Sequence, residues 1–133
     1  MKKLITRIIS LAAVLTLAFL QGCTTLADAR KAEGEGVKKV YAASVENTWE
    51  ATIKALEKLK LEIATQNKSD GYILAQRGMS LFSAGENVAI FIRKKGLTDS
   101  EVEVVSKKAM KTNIFAPDWT DDIYKEINIA INR

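Results

Sequence analysis

The sequence predicts an α+β domain, in which a small antiparallel sheet of about four to five strands carries two helices on one face, in the order β-α-β-β-β-β-α. Two observations predict this fold. In two segments, apolar residues recur every three or four positions, which is the spacing of one helix face. Between these segments, apolar and polar residues alternate in short runs separated by turn-forming residues, which is typical of antiparallel strands.

The predicted domain begins with a strand over residues 37–43, followed by a helix from Val45 to about Lys60. Ser44 is placed to cap this helix, because a serine oxygen accepts hydrogen bonds from the backbone N–H groups of a first turn. One face of the helix carries an apolar stripe. The stripe consists of Val45, Trp49, Ile53, Leu56 and Leu59. We interpret Trp49 as a core residue on this stripe rather than as a ligand-stacking residue.

Four further strands are predicted from alternation. They cover residues 61–65, 72–77, 86–95 and 101–107, with turn-forming residues at 67–71 and 96–100. If the last two strands pair with their valines and isoleucines on one face, Arg93 lies opposite Glu101 or Glu103. Opposite charges across a ladder are stabilising, so this pairing is favoured and both registers remain open. The basic residues 93–95 are therefore interpreted as a paired hairpin face.

The chain is predicted to end in a helix that begins after Asp118 and has an apolar stripe. The stripe consists of Ile123, Ile127, Ala130 and Ile131. Asp121 and Asp122 lie in its first turn, where the helix dipole favours negative charge. We interpret them as capping charges rather than as an acid/base or cation-binding pair. Residues 107–117 have no clear period and are expected to form an extended crossing, held down by Ile114 and Phe115.

Residues 1–22 have the organisation of a secretory signal, with Lys2, Lys3 and Arg7 before an uncharged run from Ile8 to Leu20. That run is shorter than the ~20 apolar residues that a membrane-spanning helix needs. Residues Leu20–Cys23, at the end of this run, resemble a bacterial lipobox. The alternative of a retained signal-anchor helix is disfavoured, because charge on one side and polar residues on the other bound the apolar run.

The lipobox resemblance implies cleavage between Gly22 and Cys23, followed by lipidation of Cys23, which would make the membrane a partner of the chain. In lipoproteins the residue after the cysteine is a sorting signal, and Thr24 in place of aspartate implies the outer membrane, facing the periplasm. Cys23 is the only cysteine, which excludes an intramolecular disulfide. Residues 24–36 are small, polar and without a sustained period, and we expect a flexible tether spanning about 20 Å. Residues 37–133 would form the single domain.

The composition narrows the possible functions. The chain has 20 basic and 16 acidic residues, and loss of Lys2, Lys3 and Arg7 with the signal leaves 17 basic residues, so no nucleic-acid partner is indicated. There is no histidine. Metal sites of histidine and cysteine and nucleophile–histidine pairs are thereby excluded. We expect no cofactor, no metal and no catalytic activity.

Several motifs carry a resemblance to a known family. They are Lys39–Ser44 (KVYAAS), Trp49–Leu56 (WEATIKAL), Leu61–Ile63 (LEI), Gly71–Ala75 (GYILA) and Val88–Ile92 (VAIFI). With the lipobox, they resemble small proteobacterial lipoproteins known only as a domain of unknown function. The resemblance implies a fold but no chemistry. The chain departs from the family pattern at residues 78–85 and 107–117. A weaker likeness, at the level of fold, is to accessory lipoproteins of the outer-membrane β-barrel assembly machine.

Two apolar surfaces are candidates for partner contact. Met79, Leu81 and Phe82 lie between two predicted strands, where a loop is normally polar. They would form an exposed tip that contacts a partner or the membrane, or else Leu81 or Phe82 would fold back over the sheet or extend a strand. The second candidate is the outer face of the sheet, opposite the helices. It carries Tyr72, Leu74, Phe91 and Val105, and one register puts Phe91 opposite Val105.

Two kinds of cover are open for that outer face: the crossing segment with Ile114 and Phe115, or another subunit. The function that the sequence favours is that of an outer-membrane lipoprotein acting as a non-catalytic binding module, with another envelope protein as the candidate partner. The alternative is a lipoprotein that holds a small apolar ligand between helices and sheet. The sequence leaves the oligomeric state open.

Overall fold

The computed structural model describes residues 24–78, 85–109 and 117–133. Within them the chain forms three helices and five strands. Their order is α1 (Leu26–Lys31), β1 (Val37–Tyr41), α2 (Val45–Lys58), β2 (Glu62–Asn67), β3 (Tyr72–Arg77), β4 (Glu86–Lys95), β5 (Asp99–Lys108) and α3 (Thr120–Ile131). The predicted α+β fold is confirmed, and α1 is an element that the sequence reading did not anticipate.

The five strands form one antiparallel sheet in the order β1-β5-β4-β3-β2. The central hairpin pairs β4 with β5 along its whole length, from Glu86 opposite Lys108 to Lys95 opposite Asp99. Of the two registers left open, the structure has the one that places Arg93 opposite Glu101. Lys95 Nζ also lies 3.2 Å from a carboxylate oxygen of Glu101, so charge supports this register.

The main core lies between the sheet and helices α2 and α3. Its fully buried members include Leu56 from α2, Ile123 and Ile127 from α3, and Ile90 from β4. Burying an aliphatic side chain of this kind stabilises the fold by roughly 1.5–3 kcal/mol. Trp49 belongs to the same core, as its place on the apolar stripe predicts.

The two longer helices begin differently: α2 has a side-chain N-cap, and the N-cap residue of α3 makes no side-chain capping hydrogen bond. Ser44 Oγ accepts the Asn47 N–H at 3.2 Å, as predicted for the start of α2. Helix α3 starts one residue later than expected, and its N-cap residue is Trp119. The Asp118 carboxylate nevertheless accepts the Thr120 N–H at 2.9 Å, so it satisfies a backbone donor at this helix end.

The prediction of a flexible tether over residues 24–36 is wrong, because this segment contains α1 and packs on the sheet. The helix is started by a capping box, in which Thr25 Oγ1 accepts the Asp28 N–H at 3.3 Å and Asp28 Oδ2 accepts the Thr25 N–H at 2.8 Å. Hydrogen bonds from the Thr25 backbone and hydroxyl lower the pKa of Asp28. Ala29 and Ala32 are buried against the outer face of the sheet.

Candidate functional site

The outer face of the sheet is covered by α1, a kind of cover that the sequence analysis did not consider. The buried residues of this second cluster are Ala29, Ala32, Leu74, Ala89, Phe91 and Val105, with Leu26 and Tyr72 partly buried against them. The face is therefore shielded by a segment of the same chain, residues 26–32. Ile114 and Phe115 lie outside the described residues.

Phe91 and Val105 were candidate partner contacts, and the structure places both beneath α1. Phe91 is 0% exposed and Val105 is 4% exposed. Their predicted juxtaposition is also absent, because Phe91 lies opposite Glu103, and Val105 lies opposite Ala89. A partner would have to displace α1 before touching either side chain, so they form a core and not a surface.

Charged side chains hold the far end of α1 against the sheet. The Arg30 guanidinium lies over the Tyr72 ring, 4.2 Å from its centroid, and pairs with Glu33 at 3.0 Å. Glu33 also pairs with Arg93 of β4. Arg93 in turn donates to the backbone carbonyls of Asp70 at 2.7 Å and Gly71 at 2.8 Å. These contacts connect α1 to the β2–β3 turn and to β4.

Glu103 of β5 fixes the connection between α1 and β1. Its side chain is buried, and its Oε1 atom accepts the N–H groups of Gly34 at 2.6 Å and Gly36 at 2.8 Å. Lys38 Nζ lies 3.5 Å from its second oxygen. A Cβ atom on Gly36 would lie 2.4 Å from the Val104 carbonyl oxygen, so only glycine fits this approach.

The near end of α1 is held just as firmly, through Thr24. Its N–H donates to the Ala109 carbonyl at 2.9 Å, and its hydroxyl donates to the Lys108 carbonyl. The Thr24 carbonyl accepts a hydrogen bond from Asn87 Nδ2 at 2.8 Å. Three hydrogen bonds therefore attach Thr24, the residue that follows Cys23 in the sequence, to the start of β4 and the end of β5.

Thr24, Gly78, Gly85 and Ala109 lie together at one end of the sheet, which we call the Thr24 end. The Ala109 N–H donates to the Gly85 carbonyl at 3.0 Å, and a Cβ atom on Gly85 would lie 3.8 Å from the carbonyl carbon of Gly78. The opposite end carries the β4–β5 turn, where Leu97 is 92% exposed. Because β4 has ten residues, the two ends are separated by about 30 Å.

Other sequence-predicted site residues lie outside the described residues. They are Gly22 and Cys23 at the expected cleavage site, and Met79, Leu81 and Phe82 in the apolar run. Gly78 and Gly85, the described residues on either side of that run, belong to the Thr24 end. The chain therefore leaves and re-enters the described part at the end of the sheet where Thr24 is attached.

A cleft of about 370 Å³ borders Thr24 between α1 and β5. It is lined by Thr24, Asp28, Lys31, Ala32, Glu35, Ser106, Lys107 and Lys108. Lys107 pairs with Glu35 at 3.1 Å, and Asp28 is engaged by the capping box. Among the described residues, Lys31 and Lys108 have no carboxylate within ion-pair distance. Alternation along β5 places the Lys108 side chain on the face opposite α1, across from Glu86, so only Lys31 of these two faces the cleft.

The groove between α2 and α3 bears on the possibility of a ligand. Its volume is about 390 Å³. It is lined by Lys54, Ala55, Lys58, Glu126, Ile129, Ala130 and Arg133. Lys58 and Glu126 form an ion pair across it at 2.6 Å. Sites for small apolar ligands are lined mainly by hydrophobic and aromatic side chains, so this charged groove fits a polar molecule better.

Two aspartates of α3 and two buried tyrosines have positions that the fold explains. Asp121 and Asp122 are exposed in the first turn of α3, as predicted. Burial raises the pKa of Tyr41 to about 12 and raises that of Tyr124 further. Tyr124 donates its hydroxyl to the Val102 carbonyl at 2.9 Å, which fixes α3 to the sheet. Within residues 24–78, 85–109 and 117–133, no three acidic or cysteine side chains come together as a metal site would require.

Comparison with protein-family models gives no match, and comparison with curated proteins gives none either. In the part of the chain that the structure describes, no helix has the length and apolar character needed to span a membrane. The features that sequence reasoning missed are α1 and the attachment of Thr24. A sequence signal for α1 exists, since Thr25 and Asp28 have the spacing of a capping box.

Proposed function

We propose that this chain is a bacterial lipoprotein, anchored in the outer membrane through lipid on Cys23 and facing the periplasm. In this proposal it acts as a non-catalytic binding module of the cell envelope. The observation that carries the proposal is the order of basic residues, uncharged run and lipobox in the first 23 residues. Thr24, directly after the proposed anchor, hydrogen-bonds to Ala109 of the domain.

A binding role accounts for the arrangement of side chains better than the alternatives do. The acidic pair of α3 lies exposed in its first turn, where the helix dipole favours negative charge. Burial raises the pKa of Tyr41 and Tyr124, so their hydroxyls stay protonated near neutral pH. The second candidate, an apolar ligand held between helices and sheet, has less support, because the main core occupies that space with Leu56, Ile90 and Ile127 fully buried. The lipid-anchored binding module therefore remains the proposal.

The lipid anchor can be tested with a Cys23→Ala variant of the full chain expressed in a bacterium. We expect the native chain to fractionate with membranes and its intact mass to include acyl chains. The Cys23→Ala variant should lose both properties, because several acyl chains anchor a protein stably and none would remain. Ser69→Ala, in the exposed β2–β3 turn, is the matched control and should behave as the native chain does. A native chain of unmodified mass in the soluble fraction would contradict the anchor.

The partner-contact hypothesis rests on Met79, Leu81 and Phe82 and can be tested by crosslinking in intact envelopes followed by pull-down. We expect a discrete envelope protein with the native chain and its loss in a Leu81→Ser plus Phe82→Ser variant. The control is Leu97→Ser, which removes an exposed apolar side chain at the opposite end of the sheet. Retention of the same partners by the double variant would reject this contact.

A further inference from the structure

We propose that the Thr24 end of the sheet is a membrane-contacting surface. The domain would stand on the bilayer with this end against the phosphate-bearing headgroups, and Lys31 and Lys108 would contact anionic phospholipids there. This inference rests on the proposed lipid on Cys23, and it adds an orientation and a lipid contact that the anchor alone does not require.

The proposed anchor, Cys23, directly precedes a residue that is hydrogen-bonded to the sheet. Consecutive Cα atoms are separated by about 3.8 Å, so Cys23 lies within one residue of the end of the sheet. A flexible tether of 13 residues would hold the domain about 20 Å away, with free choice of orientation. Thr24 is instead fixed through its N–H, its carbonyl and its hydroxyl. Lipid on Cys23 would therefore bring Asn87, Lys108 and Ala109 to the bilayer surface.

Positively charged side chains lie near Thr24, where the domain would be attached to the membrane. Lys31 is exposed at the cleft that borders Thr24, and Lys108 is the last residue of β5, where its carbonyl accepts the Thr24 hydroxyl. Of the two carboxylates that line the cleft, Glu35 pairs with Lys107, and Asp28, whose pKa the capping-box hydrogen bonds lower, lies close enough to Lys31 for that lysine to lower it further. A lysine close to an anionic lipid surface increases membrane partition by about fivefold. Two such lysines next to the anchor favour one orientation of the domain over the others.

The orientation can be measured with the full, naturally processed chain carrying one added cysteine for a fluorescent label. Lipid on the sulfur of Cys23 would leave the added cysteine as the only reactive thiol. Gly78→Cys marks the Thr24 end, and a Cβ atom there meets nothing within 4 Å. Leu97→Cys marks the opposite end, and Val40→Cys marks the exposed edge strand β1. The vesicles contain phosphatidylethanolamine and phosphatidylglycerol, with a quencher on the lipid headgroup.

We expect quenching at Gly78→Cys to exceed that at Leu97→Cys and Val40→Cys severalfold. Equal quenching at the three positions would indicate a freely rotating domain, and strongest quenching at Val40→Cys would indicate a domain lying on its side. Either result would overturn the proposed contact. The intact mass of the chain shows whether Cys23 is acylated, and so separates failure of the membrane contact from failure of the proposed lipid anchor. An unmodified Cys23 overturns both, whereas an acylated chain with equal quenching overturns the contact alone.

The lysine contribution is tested by Lys31→Gln plus Lys108→Gln in the Gly78→Cys chain. We expect this double substitution to reduce quenching of the label in vesicles that contain phosphatidylglycerol. In vesicles of phosphatidylcholine alone, quenching should change little. Lys54→Gln plus Lys125→Gln, two exposed lysines of α2 and α3, form the matched control. If the control pair reduces quenching as much, the assignment of Lys31 and Lys108 to the headgroups is overturned.

Discussion

Replacing Phe91 with alanine should lower the free energy of unfolding by about 3–5 kcal/mol, the usual cost of deleting a buried aromatic side chain. Phe91 lies at the centre of the cluster beneath α1 and is fully buried. Arg30 and Arg93 also lie over its ring, 5.4 and 5.9 Å from the centroid. The substitution therefore removes the surface on which α1 rests, and urea denaturation of the unlipidated Cys23→Ala chain would measure the loss.

A small domain has only about 5–15 kcal/mol of stability in total, so Phe91→Ala could leave the chain unfolded. Milder substitutions keep the prediction testable in that case. Phe91→Leu keeps most of the volume and should cost less than about 1.5 kcal/mol. Leu97→Ala, at a 92% exposed position, should change stability by less than about 0.5 kcal/mol. If Phe91→Ala costs no more than Leu97→Ala, Phe91 does not carry the packing of α1.

The sheet was predictable because its signals are local. Strands β3 and β4 have the bounds that alternation gave them, and the pattern assigned Ile73 and Ala75 to the core face and Tyr72 and Leu74 to the other. The hairpin register was narrowed by charge to two possibilities. It could not be fixed further, because Arg93 has a carboxylate within reach in either one.

Helix α1 was not predicted because its apolar content is too small to stand out. It has six residues and packs through two alanines, so no stripe of large side chains marks it. Isolated helices this short are unstable in water. Its stability comes from the sheet beneath it and from Arg93 and Glu103, which are distant in sequence. The capping box at Thr25 and Asp28 was the one local signal.

Because α1 was not recognised in the sequence, Phe91 and Val105 counted as candidate partner contacts. Phe91 and Val105 were correctly assigned to the face opposite α2 and α3, but a pattern of alternation does not show what covers a face. Once α1 is recognised, these residues become core. The hypothesis for Met79, Leu81 and Phe82 stays a prediction. Its support is still the sequence, together with the position of Gly78 and Gly85 at the Thr24 end.

Replacing Glu103 with alanine should also destabilise the protein by about 3–5 kcal/mol, because it removes a buried charged acceptor and leaves its donors unpaired. Glu103 is 5% exposed, and its Oε1 atom accepts the N–H groups of Gly34 and Gly36. These hydrogen bonds hold the chain between α1 and β1. The loss should appear in urea denaturation and as faster hydrogen exchange at the two glycine amides.

Glu103→Gln separates the role of the acceptor atom from the role of the charge. Glutamine keeps a carbonyl oxygen where Oε1 accepts both glycine N–H groups, and it loses the attraction to Lys38, whose side chain is largely exposed. We expect a cost of about 1–2 kcal/mol, with protected glycine amides. Equal costs for Glu103→Ala and Glu103→Gln would show that charge dominates. Unchanged exchange in Glu103→Ala would show that the α1–β1 connection is held by Gly36 packing on Val104 instead.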